Sequence, residues 1–447
     1  MYPLLILHLL LAAPAAAALM RQERTPVSAL AWLLAILLVP AAGSILYLLA
    51  GYRRPVHDVP ATDTEPPVGI ERMLWLDCAT RIRRHNRVEQ LHDGSEAFAA
   101  LIAALQGARH YIHLSYYIFA DDRVGMAFGN VLMRKARAGV EVRLLYDAVG
   151  SWKLSKGFVQ QLRSAGVEVH PYAPLRFPWL TPRANRRNHS KIAVIDGRVG
   201  FIGGINIAER YLDGDALGRW RDEHLRIEGE AVADLQRLFA ADWIQEGGAM
   251  LSDKYQPAID LEALPLSPLQ IAWTREDHSR HTLSDLFAQL IDETRHTLRL
   301  SSPYFLPPPA LYEALLRALR RGCRVLVMLP DRSDVWLARR ATDSYLGRLL
   351  DAGAEIFRYE GGFLHAKRLF VDDLVASVGT ANFDYRSLDY NTEATALLLD
   401  PKSVEQALRR FDADLERCRR ITVEEWRSRP ASRTLGDRIA RLFAPLL

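Results

Sequence analysis

Two short runs of this chain set a histidine, a lysine and an aspartate at the same spacing. The first is His189, Lys191 and Asp196; the second is His365, Lys367 and Asp372. Gly203 and Asn206 follow the first run, Gly379 and Asn382 the second, and every matched pair is 176 residues apart. An imidazole, with an ordinary pKa of about 6.5, both takes and gives protons near neutrality. Ammonium and carboxamide groups hold phosphate oxygens and stabilise added charge. Two sets of such groups suit phosphodiester chemistry. One imidazole attacks phosphorus as a neutral nucleophile, and the other gives a proton to the leaving alcohol. The lysines supply the positive charge, so no metal and no cofactor is called for. A single His-x-Lys pair is usually a surface feature, and a single Asn after a strand is usually a turn residue. Matched positions at one offset need another account, because a purely structural repeat would preserve apolar residues.

The elements that must position these groups are legible around them. Side chains at i and i+2 of a strand share a face, so each His projects with its Lys. Asp196 and Asp372 fall at the strand ends, where turns begin, and complete the catalytic set. A carboxylate beside each imidazole would fix its tautomer; Asp222 and Glu393, which follow the two motifs, are the candidates. The repeat extends upstream. Ala165-Gly166-Val167-Glu168-Val169 matches Ala352-Gly353-Ala354-Glu355-Ile356, and the β-branched runs after Gly139 and Gly322 read as buried strands. Each copy runs strand, helix, strand, helix, strand, then the His-Lys strand and its return. That order predicts two α/β units, β-sheets flanked by helices, related by a pseudo-two-fold axis that brings both His-Lys pairs to one cleft. The expected divisions are an apolar hairpin over 1–52, a linker and entry segment over 53–90, the repeats over 91–255 and 256–420, and a basic amphipathic tail over 421–447.

The 447 residues carry a net charge of +4. The stretch 401–447 holds eleven Lys or Arg against seven Asp or Glu, and so accounts for the whole surplus. Such a tail suits lipid headgroups, nucleic acid or simple solvation. Leu435, Ile439, Leu442, Phe443 and Leu446 follow helical spacing there, which fits an interfacial helix or one packed on the domain. Two apolar runs open the chain, Pro3 to Met20 and Val27 to Tyr52. The second has the length of a membrane span, with Pro40 as a kink. The first reads as its partner in a transmembrane hairpin or as a signal peptide. The positive flanks balance, Arg21 and Arg24 against Arg53 and Arg54. Pro55, Pro60, Pro66 and Pro67 mark a linker. The segment 176–187 is basic and aromatic, a loop at the surface of the protein or of a membrane. Cys78, Cys323 and Cys418 form no disulfide pattern, which fits a reducing compartment.

These motifs resemble the HKD signature of the phospholipase D superfamily, across nearly all of the chain beyond residue 90. Within it the chain is similar to bacterial cardiolipin synthases, through Ser115-Tyr116-Tyr117-Ile118-Phe119, Leu144 to Ser151, Gly203-Gly204-Ile205-Asn206-Ile207, Trp220-Arg221-Asp222 and the apolar pair with Gly51-Tyr52-Arg53-Arg54. The resemblance implies a ping-pong transfer between two phosphatidylglycerol molecules that gives cardiolipin and glycerol. It implies His189 as nucleophile through a phosphohistidine, and His365 as acid and base. It implies phosphate-binding or supporting roles for Asn206, Asn382, Asp222, Glu393 and Thr380. It further implies a multi-pass protein of a bacterial inner membrane with a cytoplasmic catalytic part. There are departures. Ser190 stands where these synthases often carry Arg, Tyr390-Asn391-Thr392-Glu393 replaces a more usual run, and Gly204, the counterpart of Thr380, has no side chain. Hydrolysis, or another acceptor alcohol, would use the same residues. A nuclease is disfavoured by the membrane segment, which sets nucleic acid aside as a partner, and a non-catalytic scaffold by the intact motifs.

Overall fold

The computed structural model describes residues 2–20, 26–39, 41–47, 69–174, 186–251, 257, 259–275 and 282–447. The linker beyond residue 52, the flanking arginines Arg21, Arg24, Arg53 and Arg54, the kink residue Pro40 and most of the basic-aromatic segment lie outside them.

The repeat folds into one continuous sheet of 15 strands rather than two separate ones. From one edge the first half contributes Glu168–Tyr172, Glu141–Asp147, Tyr111–Tyr116, Lys191–Ile195, Val199–Gly203, His224–Gly229 and Arg83–Leu91. The second half lays down its equivalents in mirrored order, Leu266–Thr274, Glu393–Leu398, Val375–Gly379, Arg368–Val371, Thr297–Ser301, Arg324–Pro330 and Glu355–Tyr359, with Cys418–Ile421 closing the edge. The seam is the antiparallel pair of Arg83–Leu91 with Leu266–Thr274. Residues 83–91, read from sequence as entry segment, are therefore a strand at the middle of the molecule. Parallel neighbours such as Tyr111–Tyr116 and Glu141–Asp147 are joined through a helix, Arg123–Arg137, as a parallel crossover requires. The inner strands are buried on both faces, which explains their unbroken apolar runs. Asp122 caps that crossover helix by accepting from the Gly125 N–H, and Ser155 caps the helix Lys156–Ser164 by accepting from Phe158.

At the N-terminus the first run forms a helix over Tyr2–Met20, with His8 and Pro14 inside it. The second is broken into Pro26–Leu38 and Ala42–Leu46 instead of one long span. His8 Nδ1 accepts from the Ala41 N–H, and its Nε2 lies 3.3 Å from the Leu37 carbonyl, so the first helix packs on the break. Gly43 is needed there, since a Cβ would fall 1.8 Å from the Ala35 carbonyl oxygen. Among the described residues no helix is long and apolar enough to cross a membrane.

The tail folds back. Its helix Ala431–Arg441 packs on the helix Trp336–Asp351, with buried Asp437 paired to Arg340 at 2.7 Å and Arg441 stacked 4.1 Å over Tyr345. Leu435, Ile439, Leu442, Phe443 and Leu446 stay exposed.

Candidate active site

Both histidines stand just ahead of buried strands, His189 before Lys191–Ile195 and His365 before Arg368–Val371. Both line a single cleft of about 270 Å³ between the halves. Short segments exchanged between the repeats put them there. The N–H of His189 donates to the carbonyl of Thr392 at 2.8 Å, and that of Thr392 to Arg187 at 2.9 Å. In the mirror arrangement His365 donates to Arg221 at 2.8 Å, and Phe363–Leu364 pairs with Trp220–Arg221. The backbone beside each imidazole is thus held by the opposite repeat.

The carboxylates are exchanged in the same way. Nδ1 of His189 lies 2.8 Å from Oε1 of Glu393, and Nδ1 of His365 lies 2.6 Å from Oδ2 of Asp222. Each carboxylate accepts a hydrogen bond from Nδ1–H, the tautomer that leaves Nε2 of each ring to meet substrate. Glu393 and Asp222 are equivalent by register, because Gly379 pairs with Thr395 and Gly203 with His224, two residues beyond each acid. Their side chains differ in length, and the neighbouring residue compensates. Thr380 donates its hydroxyl to Glu393 Oε2 and accepts from the Ala394 N–H, so it holds the carboxylate and does not reach for substrate. Its counterpart Gly204 is bare, since a Cβ there would lie 2.0 Å from Asp222 Oδ1. Asp222 instead accepts from the Glu223 N–H at 2.9 Å.

Lys191 and Lys367 are buried and each donates to the carbonyl of its own histidine. Lys191 also lies 5.4 Å from the Tyr117 ring, which meets His189 edge-on at 4.7 Å. Burial pulls the Lys191 ammonium down to about 7, against the pull of Glu393, and lowers Lys367 also. Burial likewise lowers His189 to about 4 and His365 to about 3, so both imidazoles are neutral near pH 7. Burial pushes the two carboxylates up, but the neighbouring lysines and the hydrogen-bonded imidazoles outweigh it. Asp222 falls to about 2 beside Lys367 and His365, and Glu393 is lowered beside His189 and Lys191. With both lysines charged, two cations face two anions, and a phosphodiester brings one further negative charge.

Asn206 and Asn382 line the cleft. Asn206 accepts from the Ile118 N–H at 2.9 Å and donates to the Tyr211 hydroxyl at 2.6 Å, while Asn382 Oδ1 has no partner among the described residues. Asp196 and Asp372 are not in the cleft, and their assignment to the catalytic set is corrected. They end the strands that the histidines begin, in left-handed backbone with φ of 51° and 42°. Asp196 accepts from the N–H groups of Arg109, His110 and Tyr111 at 2.7–2.8 Å, and Asp372 from those of Arg295, His296 and Thr297 at 2.8–3.0 Å. Each pins the turn that leads into the next sheet strand, a structural task repeated in both halves.

Several cleft residues escaped the sequence reading. Tyr117 lines the cleft, while Tyr116 and Phe119 are buried. Trp220 meets His365 at a ring distance of 5.0 Å. Arg210 and Arg386 also line the cleft, and they stand at the same 176-residue offset as the motif residues, a signal present in the sequence.

The geometry agrees with comparisons to known proteins. Residues 101–243 and 287–415 match the family described as cardiolipin synthase, PLD-like domain, and residues 9–51 match the phospholipase D-nuclease N-terminal family. A cardiolipin synthase of Geobacillus kaustophilus is 38% identical over 453 residues, covering 95% of this chain and 90% of that protein. One of Listeria monocytogenes is 34% identical over 479 residues, covering 100% and 99%. Among solved structures, the phosphatidylserine synthase of Haemophilus influenzae shares the fold, with a TM-score of 0.60 at 16% identity over 80% of this chain and 94% of that one. With both repeats matched and both motifs meeting in one cleft, this chain belongs to the cardiolipin synthase, PLD-like family.

Proposed function

We propose that this chain is a phosphatidyltransferase that joins two phosphatidylglycerol molecules into cardiolipin and releases glycerol. The observation that carries the reading is the pair of imidazoles on one cleft, each held at Nδ1 by a carboxylate of the other repeat. Nε2 of His189 attacks phosphorus of the first lipid, and the bond to the glycerol oxygen breaks. His365 Nε2–H gives its proton to that oxygen. The lowered pKa of His365 suits release of that proton, and the bound phosphodiester anion favours the protonated form beforehand. The free hydroxyl of a second phosphatidylglycerol then gives its proton to His365 and attacks phosphorus. The P–N bond breaks and cardiolipin leaves. Lys191 and Lys367 neutralise the phosphoryl oxygens in both steps, and Asn206 and Asn382 donate hydrogen bonds to them.

We infer that the chain works at the membrane holding these lipids. The hairpin exposes Leu9, Leu10, Leu34, Leu37 and Leu38, and the tail exposes a second apolar set. The three unpaired cysteines fit a catalytic part on the reducing, cytoplasmic side of a bacterial inner membrane.

Lipid analysis of cells expressing the wild type, His189→Ala or His365→Ala tests the function. Cardiolipin gain with the wild type alone is expected, with each variant down by more than about a thousandfold in activity. Phosphatidic acid as the dominant product from labelled phosphatidylglycerol would defeat the synthase reading in favour of hydrolysis.

A further inference from the structure

Arg210 and Arg386 are a further matched pair of the repeat, 176 residues apart, and both line the cleft. A structural repeat has no need of an arginine facing the reaction space twice. The surroundings of the two differ. The Arg210 guanidinium lies over the Trp220 ring at 5.3 Å, and that ring lies 5.0 Å from His365. Among the described residues Arg210 has no carboxylate partner within ion-pair distance. Trp220 is only 6% exposed, yet its indole Nε1–H has no hydrogen-bond partner among the described residues. A buried donor left idle costs free energy unless a ligand uses it. On the other flank, register puts Asn391 in the place of Trp220, because Asn188 bridges Thr392 as Leu364 pairs with Arg221.

We propose that Arg210 and the Trp220 indole N–H form a second phosphate subsite on the His365 flank, which holds the phosphodiester of the acceptor lipid. This rests on the phosphatidyltransferase reading. In the second step the acceptor's free hydroxyl attacks the phosphorus bound to His189 while its proton passes to His365 Nε2. The hydroxyl is separated from the acceptor's own phosphate by a glycerol backbone. The Arg210 guanidinium lines the cleft across the Trp220 ring from the base, on the side from which that phosphate would come. Water and glycerol carry no phosphate and gain nothing from the subsite. It therefore favours an anionic lipid acceptor over both.

Purified full-length enzyme in mixed micelles with phosphatidylglycerol separates the two steps. Exchange of labelled glycerol into phosphatidylglycerol reads formation and reversal of the phosphatidyl-enzyme. Cardiolipin formation reads use of the lipid acceptor. Arg210→Gln and Trp220→Phe are compared with the wild type, the second keeping an aromatic ring while deleting the N–H. For each, the ratio of cardiolipin formed to glycerol exchanged is expected to fall about tenfold or more, with a raised acceptor KM and a larger share of phosphatidic acid. Arg210→Lys restores part of the ratio. Equal loss of both readouts, or no change in the ratio for either variant, overturns the subsite. A wild type that exchanges glycerol and makes no cardiolipin overturns the synthase reading instead, and the acceptor subsite with it.

Discussion

At the residue scale the site is a balance of buried charges. Glu393 and Asp222 offset Lys191 and Lys367, and the imidazoles stay neutral because burial disfavours their charged forms. Burial holds the Lys191 ammonium down to about 7, within the range where the enzyme works. A phosphodiester anion favours its protonated form, so binding takes up a proton around pH 7 and weakens as pH rises above it. The affinity for short-chain phosphatidylglycerol, measured by calorimetry between pH 6 and pH 9, is expected to fall by up to about tenfold per unit above pH 7. A pH-independent affinity would show that Lys191 stays charged throughout. The paired histidines of the cleft were legible because chemistry fixes residue type at fixed spacing, and the repeat doubled each one. The motif aspartates misled for the same reason. Spacing was preserved at Asp196 and Asp372 too, but for three backbone N–H groups rather than for substrate. Asp372→Ala should therefore cost about 1–3 kcal/mol of stability in denaturant unfolding while the folded enzyme keeps its turnover.

At the scale of elements, the exchanged segments 187–189 and 363–365 decide whether the chemistry assembles. Alternation of strand and helix patterns made the α/β layers readable, and the β-branched runs marked the buried strands. Which carboxylate would serve which histidine was not readable. Asp222 and Glu393 are offset by 171 residues rather than 176, because the connection ahead of the acid is shorter in the second repeat. Only the sheet register aligns them. The second apolar run, with its kink expected at Pro40, breaks between Leu38 and Ala42, and the His8 contacts and the tight approach at Gly43 accommodate that break. The glycine at 204 carries a sharp consequence. Gly204→Ala would drive the Asp222 carboxylate off its place beside His365. Activity should fall at least about a hundredfold, as a misplacement of an ångström does, with a much smaller change in unfolding midpoint. Wild-type turnover in that variant would mean that Asp222 does not orient the ring.

At the scale of the molecule, the seam between Arg83–Leu91 and Leu266–Thr274 turns two repeats into one sheet, and a buried ion network locks the same junction. Arg221 and Glu223 of the first half meet Arg368 and Asp414 of the second at 2.8–3.0 Å. Breaking one member strands a buried charge and costs more than the intact pair contributes. Residues 69–251 and 257–447, made as separate polypeptides, should each be inactive, because each supplies a histidine without the acid that orients it. Cardiolipin formation should return only when both are expressed together. Activity in either half as a monomer would refute the crossed pairing.

That crossed pairing also bears on what a duplicated chain is free to become. Two identical copies meeting at such a seam would have to show the same face to both sides of the reaction space. Covalent fusion lifts that obligation. Threonine opposite a bare glycine, glutamate opposite aspartate and tryptophan opposite asparagine are differences that only a fused descendant can keep. With them one flank can specialise in giving up a headgroup and the other in choosing who receives it.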